Sequence, residues 1–129
     1  MRKMCNKKAV IIGGSNGIGL AISKKLLDCG YDLEICDRIV PEEGVLEETN
    51  VTYHFCDLMD FDEDLYQKLA QDQDVDLLMV TAGIGRIADF QYHHIAEIDK
   101  ILTVDAVSTI KIFRIFYERI LGKNDFYAG

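Results

Sequence analysis

Glycines stand at positions 13, 14, 17 and 19 of this 129-residue chain, within Gly13-Gly14-Ser15-Asn16-Gly17-Ile18-Gly19. Gly13, Gly17 and Gly19 form the pattern Gly-x-x-x-Gly-x-Gly. Glycine accepts positive φ and lets a backbone come close to a ligand. Just after the turn, Leu20-Ala21-Ile22-Ser23-Lys24-Lys25-Leu26-Leu27 has a helical pattern. A helix start presents unpaired N–H groups and the positive end of its dipole. A diphosphate fits such a turn. A carboxylate, Asp37, ends the alternating stretch Tyr31-Asp32-Leu33-Glu34-Ile35-Cys36-Asp37, eighteen residues past Gly19. A carboxylate at about this distance accepts hydrogen bonds from ribose hydroxyls and repels a 2′-phosphate. Arg38 follows directly and can pair with a 2′-phosphate, so both choices of ribose stay open at this point.

These groups need a scaffold, and the hydropathy pattern supplies one. Ala9 to Ile12 is apolar and rich in β-branched residues, as a buried strand requires, and the first strand is predicted over Lys8 to Ile12. A first helix is predicted from Gly17 to Cys29, facing the sheet with Ile18, Ala21, Ile22, Leu26 and Leu27 and stopped by Gly30. Tyr31–Asp37 is a second strand. Ile39 to Asn50 holds the only proline, Pro41, and the acids Glu42, Glu43, Glu47 and Glu48, and reads as a loop. Val51–Cys56 is a third strand; Asp60 is placed to cap a helix over Phe61–Gln71. Val75–Val80 is nearly continuous in apolar residues, as in a central parallel strand. The pattern turns helical at His94, and a long helix is predicted from Leu102 to Leu121. Leu102, Ala106, Thr109, Phe113, Phe116 and Ile120 form one face; Ile101, Val104, Ser108, Ile112 and Ile115 form a second. Lys111, Arg114 and Glu118 leave only a narrow polar stripe, so two sides ask for cover.

Length suits one domain over 1–129, and a chain that is 49% hydrophobic and 28% charged can build a core. A net charge of −8 argues against nucleic acid or an anionic membrane surface as partner. Cys5, Cys29, Cys36 and Cys56 include no Cys-x-x-Cys pair and show no zinc spacing, so no metal site is expected. Cys36 and Cys56 read as buried free thiols, and reduced, cytoplasmic residence follows. Arg2, Lys3, Lys7 and Lys8 precede a run that Gly13-Gly14 ends too early for a signal peptide. No stretch approaches a transmembrane span, and a soluble protein is expected.

The glycine spacing resembles that of the short-chain dehydrogenase/reductase family, whose usual form is Thr-Gly-x-x-x-Gly-x-Gly; Ile12 stands where that threonine is. Asp57-Leu58 resembles the family's acid–apolar pair after the third strand, which implies contact with an adenine ring. Thr81-Ala82-Gly83 resembles Asn-Ala-Gly, with Thr81 replacing asparagine. The resemblance implies a Rossmann-type α/β fold, three layers around a parallel sheet of order 3-2-1-4. It implies a cofactor site from Gly13, Ser15, Asn16, Gly17, Ile18, Gly19, Asp37, Asp57, Leu58, Ala82 and Gly83, with NAD favoured over NADP. Val104-Asp105 takes the place of the family's Val-Asn pair, whose asparagine completes a catalytic tetrad. It also implies that the last long helix belongs to a subunit interface.

The family's hydride transfer requires a tyrosine with a lysine four residues later, and a serine. No Tyr-x-x-x-Lys exists among the six tyrosines. His93 and His94 are the only adjacent acid/base candidates, at a helix start with no matched partner. The chain is expected to stop before a fifth strand and the catalytic serine, leaving the edge of Val75–Val80 bare and prone to pairing. Three readings follow: a truncated oxidoreductase without turnover, a non-catalytic nucleotide-binding or regulatory module, or an enzyme using other residues. A homo-oligomer is expected through the 102–121 helix, the 75–80 edge, or both.

Overall fold

The computed structural model describes residues 7–42, 44, 46, 50–84, 87–122 and 125–129. Expectations for Arg2, Lys3, Cys5, Glu43, Glu47 and Glu48 fall outside them. In chain order come β1 (Lys8–Ile12), α1 (Gly17–Asp28), β2 (Asp32–Asp37), β3 (Val51–Phe55), α2 (Glu63–Gln71) and β4 (Val75–Val80). Then follow α3 (Ile95–Leu102), a π-helical turn (Thr103–Val107), α4 (Ser108–Gly122) and β5 (Tyr127–Ala128).

All pairings are parallel, in the order β3-β2-β1-β4-β5. The expected order 3-2-1-4 is present and is extended by one short strand. That extension corrects the expectation of a bare β4 edge. Leu77 pairs with Tyr127 and Leu78 with Ala128; the Val80 amide donates to the Gly129 carbonyl at 2.7 Å. The physical reason is Phe126, buried next to Phe116 with ring centroids 6.4 Å apart, which draws the chain back along β4.

Alternation along the central strand divides the core. Val10 and Ile12 join Leu78, Tyr66, Leu69, Ile112 and Phe116 on the side of α2 and α4. Ala9 and Ile11 join Leu33, Ile35 and Leu46 on the side of α1, packed by Leu20, Ile22, Leu26 and Leu27. A helix layer therefore lies on each face of the sheet, and β1 is wholly buried between them except at Lys8. Each large apolar side chain removed from water there stabilises by roughly 1.5–3 kcal/mol.

Local details depart from the pattern-based reading. In α1 it is Gly19 and Ser23 that are buried, while Ala21 is exposed and Ile18 is 75% exposed. The Ser23 hydroxyl donates to the Gly19 carbonyl at 2.8 Å, so the helix rests on its smallest residues and sits close to the sheet. Asp62, not Asp60, caps α2: its Oδ1 accepts from the Leu65 amide at 3.1 Å. Residues 57–60 are instead held in a turn, with the Asp60 amide on the Asp57 carbonyl. The single long helix expected from Leu102 is α3 and α4 joined through the π-helical turn. Val104, Ser108, Ile112 and Phe116 face the core, and Lys111, Arg114 and Glu118 lie on the exposed stripe as expected. Cys36 and Cys56 are buried free thiols; Cys29 is free and exposed.

Candidate cofactor-binding cleft

A cleft of about 310 Å³ opens at the carboxyl ends of β1, β2 and β4, beside the start of α1. Parallel sheets hold ligands in this place, because strand ends and helix starts meet there. Its walls come from Ile12, Gly13 and Asn16–Gly19 of the first turn, and from Cys36–Ile39 after β2. Cys56–Met59 after β3, Thr81–Ile84 after β4, and Lys100 and Val104 of the α3 segment complete it.

The glycines are there for space as well as for conformation. Gly13 has φ +89°, and a Cβ on it would lie 2.8 Å from the Ala82 amide nitrogen. A Cβ on Gly19 would lie 2.0 Å from the Gly13 carbonyl oxygen and 2.5 Å from Thr81 Oγ1. No real Cβ sits so close, so the first turn of α1 rests directly on the end of β1. Asn16 to Gly19, where α1 begins, line the cleft, and a helix start offers free amides to an anion.

Asp37 ends β2 at the cleft wall. Its Oδ2 accepts from the Ser15 amide at 3.0 Å and its Oδ1 from the Ile39 amide at 3.1 Å. Two backbone donors thus fix the carboxylate and tie the glycine turn to β2. Asp57 also lines the cleft, with Oδ1 accepting from the Met59 amide at 2.9 Å, and Leu58 is buried beside it. Thr81 spans β4 and β1: its amide donates to the Ile12 carbonyl at 2.9 Å, and its hydroxyl lies 3.1 Å from both the Ile12 and Gly13 carbonyls. Ala82 and Gly83 line the cleft as expected.

Ser15 is the one expected cofactor residue that the cleft does not include. It is buried, its amide serves Asp37, and its hydroxyl has no hydrogen-bond partner. Asp105 lies in the π-helical turn, and its Oδ1 accepts from the Ile84 amide at 2.8 Å, 3.5 Å from where a Gly83 Cβ would be. It anchors the loop after β4. The histidines stand apart from the cleft. His93 pairs with Glu97 at 2.6 Å, which corrects the expectation that it has no partner, and His54 pairs with Glu34 across β2 and β3 at 3.0 Å.

Several cleft residues carried no sequence signal for the site. Lys100 and Val104 arrive one helical turn apart on the α3 segment, and Met59 ends the turn after β3. Cys36 and Cys56 reach the cleft from adjacent strand ends. The hydrogen bond it donates to Cys56, then burial, pushes the Cys36 thiol well up. The same bond draws the Cys56 thiol down, and the Tyr66 hydroxyl adds to that. Burial first, then Cys56, pushes the Tyr66 phenol up. Among the described residues no His, Cys, Asp and Glu cluster could hold a metal ion, and no helix is long and apolar enough to cross a membrane.

Known proteins share this arrangement. The family model described as short chain dehydrogenase matches residues 7–125. An uncharacterized oxidoreductase of Saccharomyces cerevisiae is 23% identical over 124 residues, which is 93% of this chain and 40% of the relative. The uncharacterized oxidoreductase DltE of Bacillus subtilis is 35% identical over 94 residues, 69% of this chain and 37% of the relative. The chain thus spans less than half the length of these two relatives. A short chain dehydrogenase from Leptospira borgpetersenii, solved with bound NAD+, superposes with a TM-score of 0.79 at 19% identity, over 94% of this chain and 48% of that one. Other structures of similar fold hold NADP or NADPH. The match over residues 7–125 and the parallel sheet that carries the glycine turn place this chain in the short-chain dehydrogenase family.

Proposed function

We propose that this chain is an NAD-binding domain of a short-chain oxidoreductase, incomplete relative to the family, holding the dinucleotide by Gly13, Asn16, Gly17, Ile18 and Gly19. The observation that carries this is the cradle itself: at Gly19 a single added Cβ would meet the Gly13 carbonyl at 2.0 Å. A backbone this bare beside a helix start suits a diphosphate better than any side-chain-lined pocket would. Ser15 contributes through the amide that fixes Asp37, with its hydroxyl behind the turn.

Asp37 reads the ribose. Its oxygens are held by two amides, which keeps the carboxylate aimed at the cleft and opposes a 2′-phosphate. Arg38, exposed on the same wall, is the competing group. Asp57 and Leu58 take the adenine, one as acceptor and one as apolar wall; Ala82 and Gly83 leave room for the ribose beyond. When bound, the nicotinamide of such a cofactor accepts or supplies hydride.

The 129 residues by themselves contain no Tyr-x-x-x-Lys and have negligible turnover. Asp105, at the tetrad asparagine position, holds a loop amide and carries no chemistry. Oligomer formation follows from the outer side of the α3–α4 segment, where Leu102, Ile110, Tyr117 and Leu121 are exposed. Free thiols at Cys29, Cys36 and Cys56 suit a reducing, cytoplasmic setting.

Calorimetry tests the reading. NAD should bind, and NADP should bind at least about tenfold more weakly. Asp37→Ala should weaken NAD and narrow that ratio. Equal affinity for both dinucleotides in the wild type and in Asp37→Ala would remove Asp37 as reader, and no heat with either would remove the cofactor.

A further inference from the structure

We infer that Thr81 is the positioning residue of the glycine turn: its hydroxyl clamps the Gly13 carbonyl beneath Gly19 and so sets the shape of the cradle. The Ile12 carbonyl already has a donor, the Thr81 amide at 2.9 Å. The Gly13 carbonyl is different. Among the described residues no backbone amide outside the helices and strands donates to it, and the Thr81 hydroxyl lies 3.1 Å away. That carbonyl is also what a Cβ built on Gly19 would meet first, at 2.0 Å, and Thr81 Oγ1 is next, at 2.5 Å. The hydroxyl therefore fills the space where β1 ends, β4 ends and α1 begins. Gly13, at φ +89°, has no side chain to hold its own peptide planes. Without the hydroxyl its carbonyl is left without a donor, and such a group turns toward water if it can. Turning it moves the amides that follow.

The position is informative. Position 12, where the resembling family carries a hydroxyl, is Ile12 here, buried in the core. The hydroxyl stands instead across the β1–β4 pair, one residue past Val80, the partner of Ile12. In this chain the hydroxyl at the β1–β4 join comes from the end of β4 and not from the end of β1.

Amide hydrogen exchange and calorimetry on Thr81→Val and Thr81→Ser test this. The affinity arm rests on the dinucleotide reading above; the exchange arm does not. In Thr81→Val, which keeps the shape and removes the donor, exchange of the Gly13–Gly19 amides should rise about tenfold or more, with α2 unchanged. NAD affinity should fall about tenfold. Thr81→Ser should keep both near the wild-type values. Exchange in Thr81→Val equal to wild type overturns the inference, as does Thr81→Ser behaving like Thr81→Val, which would assign the effect to shape. If the wild type binds no NAD while the exchange pattern holds, the dinucleotide reading fails and the clamp stands. Should Thr81→Val not fold, Thr81→Ala against Thr81→Ser makes the same comparison.

Discussion

The two ends of this chain bury their apolar residues differently. In the β1–α1–β2 region the strands hold Ala9, Val10, Ile11, Leu33 and Ile35 with no exposure at all. In the α3–α4 region Ile95 is 82% exposed, Ile110 67% and Leu121 68%. The strands of the first region are closed off from water, and the cleft opens at their carboxyl ends. The second has one finished face, on the sheet, and one unfinished face on the outside. A region buried on both faces of the sheet can be complete within one chain, whereas an apolar face left in water asks for another surface. The comparison separates what these residues do alone from what they need a neighbour to do.

The largest expected effect lies at the closed end. Gly19→Ala must push apart α1 and β1, because the added Cβ meets backbone on a buried wall. It should cost about 3 kcal/mol or more in stability, and roughly a hundredfold or more in NAD affinity, measured by urea unfolding and calorimetry. Wild-type stability and affinity in that variant would mean the two elements are not in contact.

Next comes the join between α4 and the α2–β4 connection. Arg119 of α4 reaches across to donate to the Ala70 and Asp72 carbonyls at 2.7 Å, and to that of Val75. It closes the carboxyl end of α2, where carbonyls lack helical partners, and stacks over Phe126 at 5.4 Å. Arg119→Met removes this charged donor, although the Asp72 carbonyl keeps the Val75 amide at 3.1 Å, and should cost about 2–3 kcal/mol in urea unfolding. NAD affinity should stay within a small factor of wild type. Loss of binding equal to the loss of stability would join the two regions into one unit.

The open face makes a smaller and separable prediction. On the proposed self-association through this face, Ile110→Glu or Leu121→Glu should lower the oligomeric state of the chain in light scattering at micromolar concentration, without altering NAD affinity. Stability of the monomer should change by less than about 0.5 kcal/mol, as at exposed sites generally. A wild-type chain that is already monomeric contradicts the reading of this face.

The smallest effect is an ion pair at the foot of the sheet. Lys8 and Asp72 lie 2.8 Å apart, each under a third exposed. The hydrogen bond between them holds Asp72 below its ordinary pKa of 3.8 and Lys8 above 10.5. A depressed carboxylate stabilises above its unfolded pKa and loses that contribution as pH falls through the folded value. A raised ammonium stabilises below its unfolded pKa and loses it as pH rises through the folded one. The pair therefore contributes between about pH 4 and pH 10, and Asp72→Asn should cost less than about 1 kcal/mol there. The difference from wild type should shrink as pH falls below the ordinary carboxylate value and through the lowered one of Asp72, read from unfolding midpoints across pH.

Much of the closed end was legible in sequence because its signals are local. A glycine turn between an apolar run and a helix start, and an acid closing the next strand, are read within forty residues. What was missed is tertiary. Arg119 bonds to backbone carbonyls, which every residue type offers, so no pairing of side chains announces it. Lys100 and Val104 reach the cleft only because α3 returns over the sheet. The π-helical turn at Thr103–Val107 divides the long helix expected from Leu102, and a helical period cannot register that. Asp60 and Asp62 compete for one cap, and the choice falls to the turn that Asp57 holds.

The central claim is that the turn after β1 is built to hold a dinucleotide's diphosphate. Titrating the ¹⁵N-labelled chain with NAD tests it directly. The amides of Gly13 through Gly19, with Asp37, Ala82 and Gly83, should shift saturably, while those along the outer side of α4 stay still. Saturable shifts confined to other residues, or none at all at millimolar NAD, would contradict it.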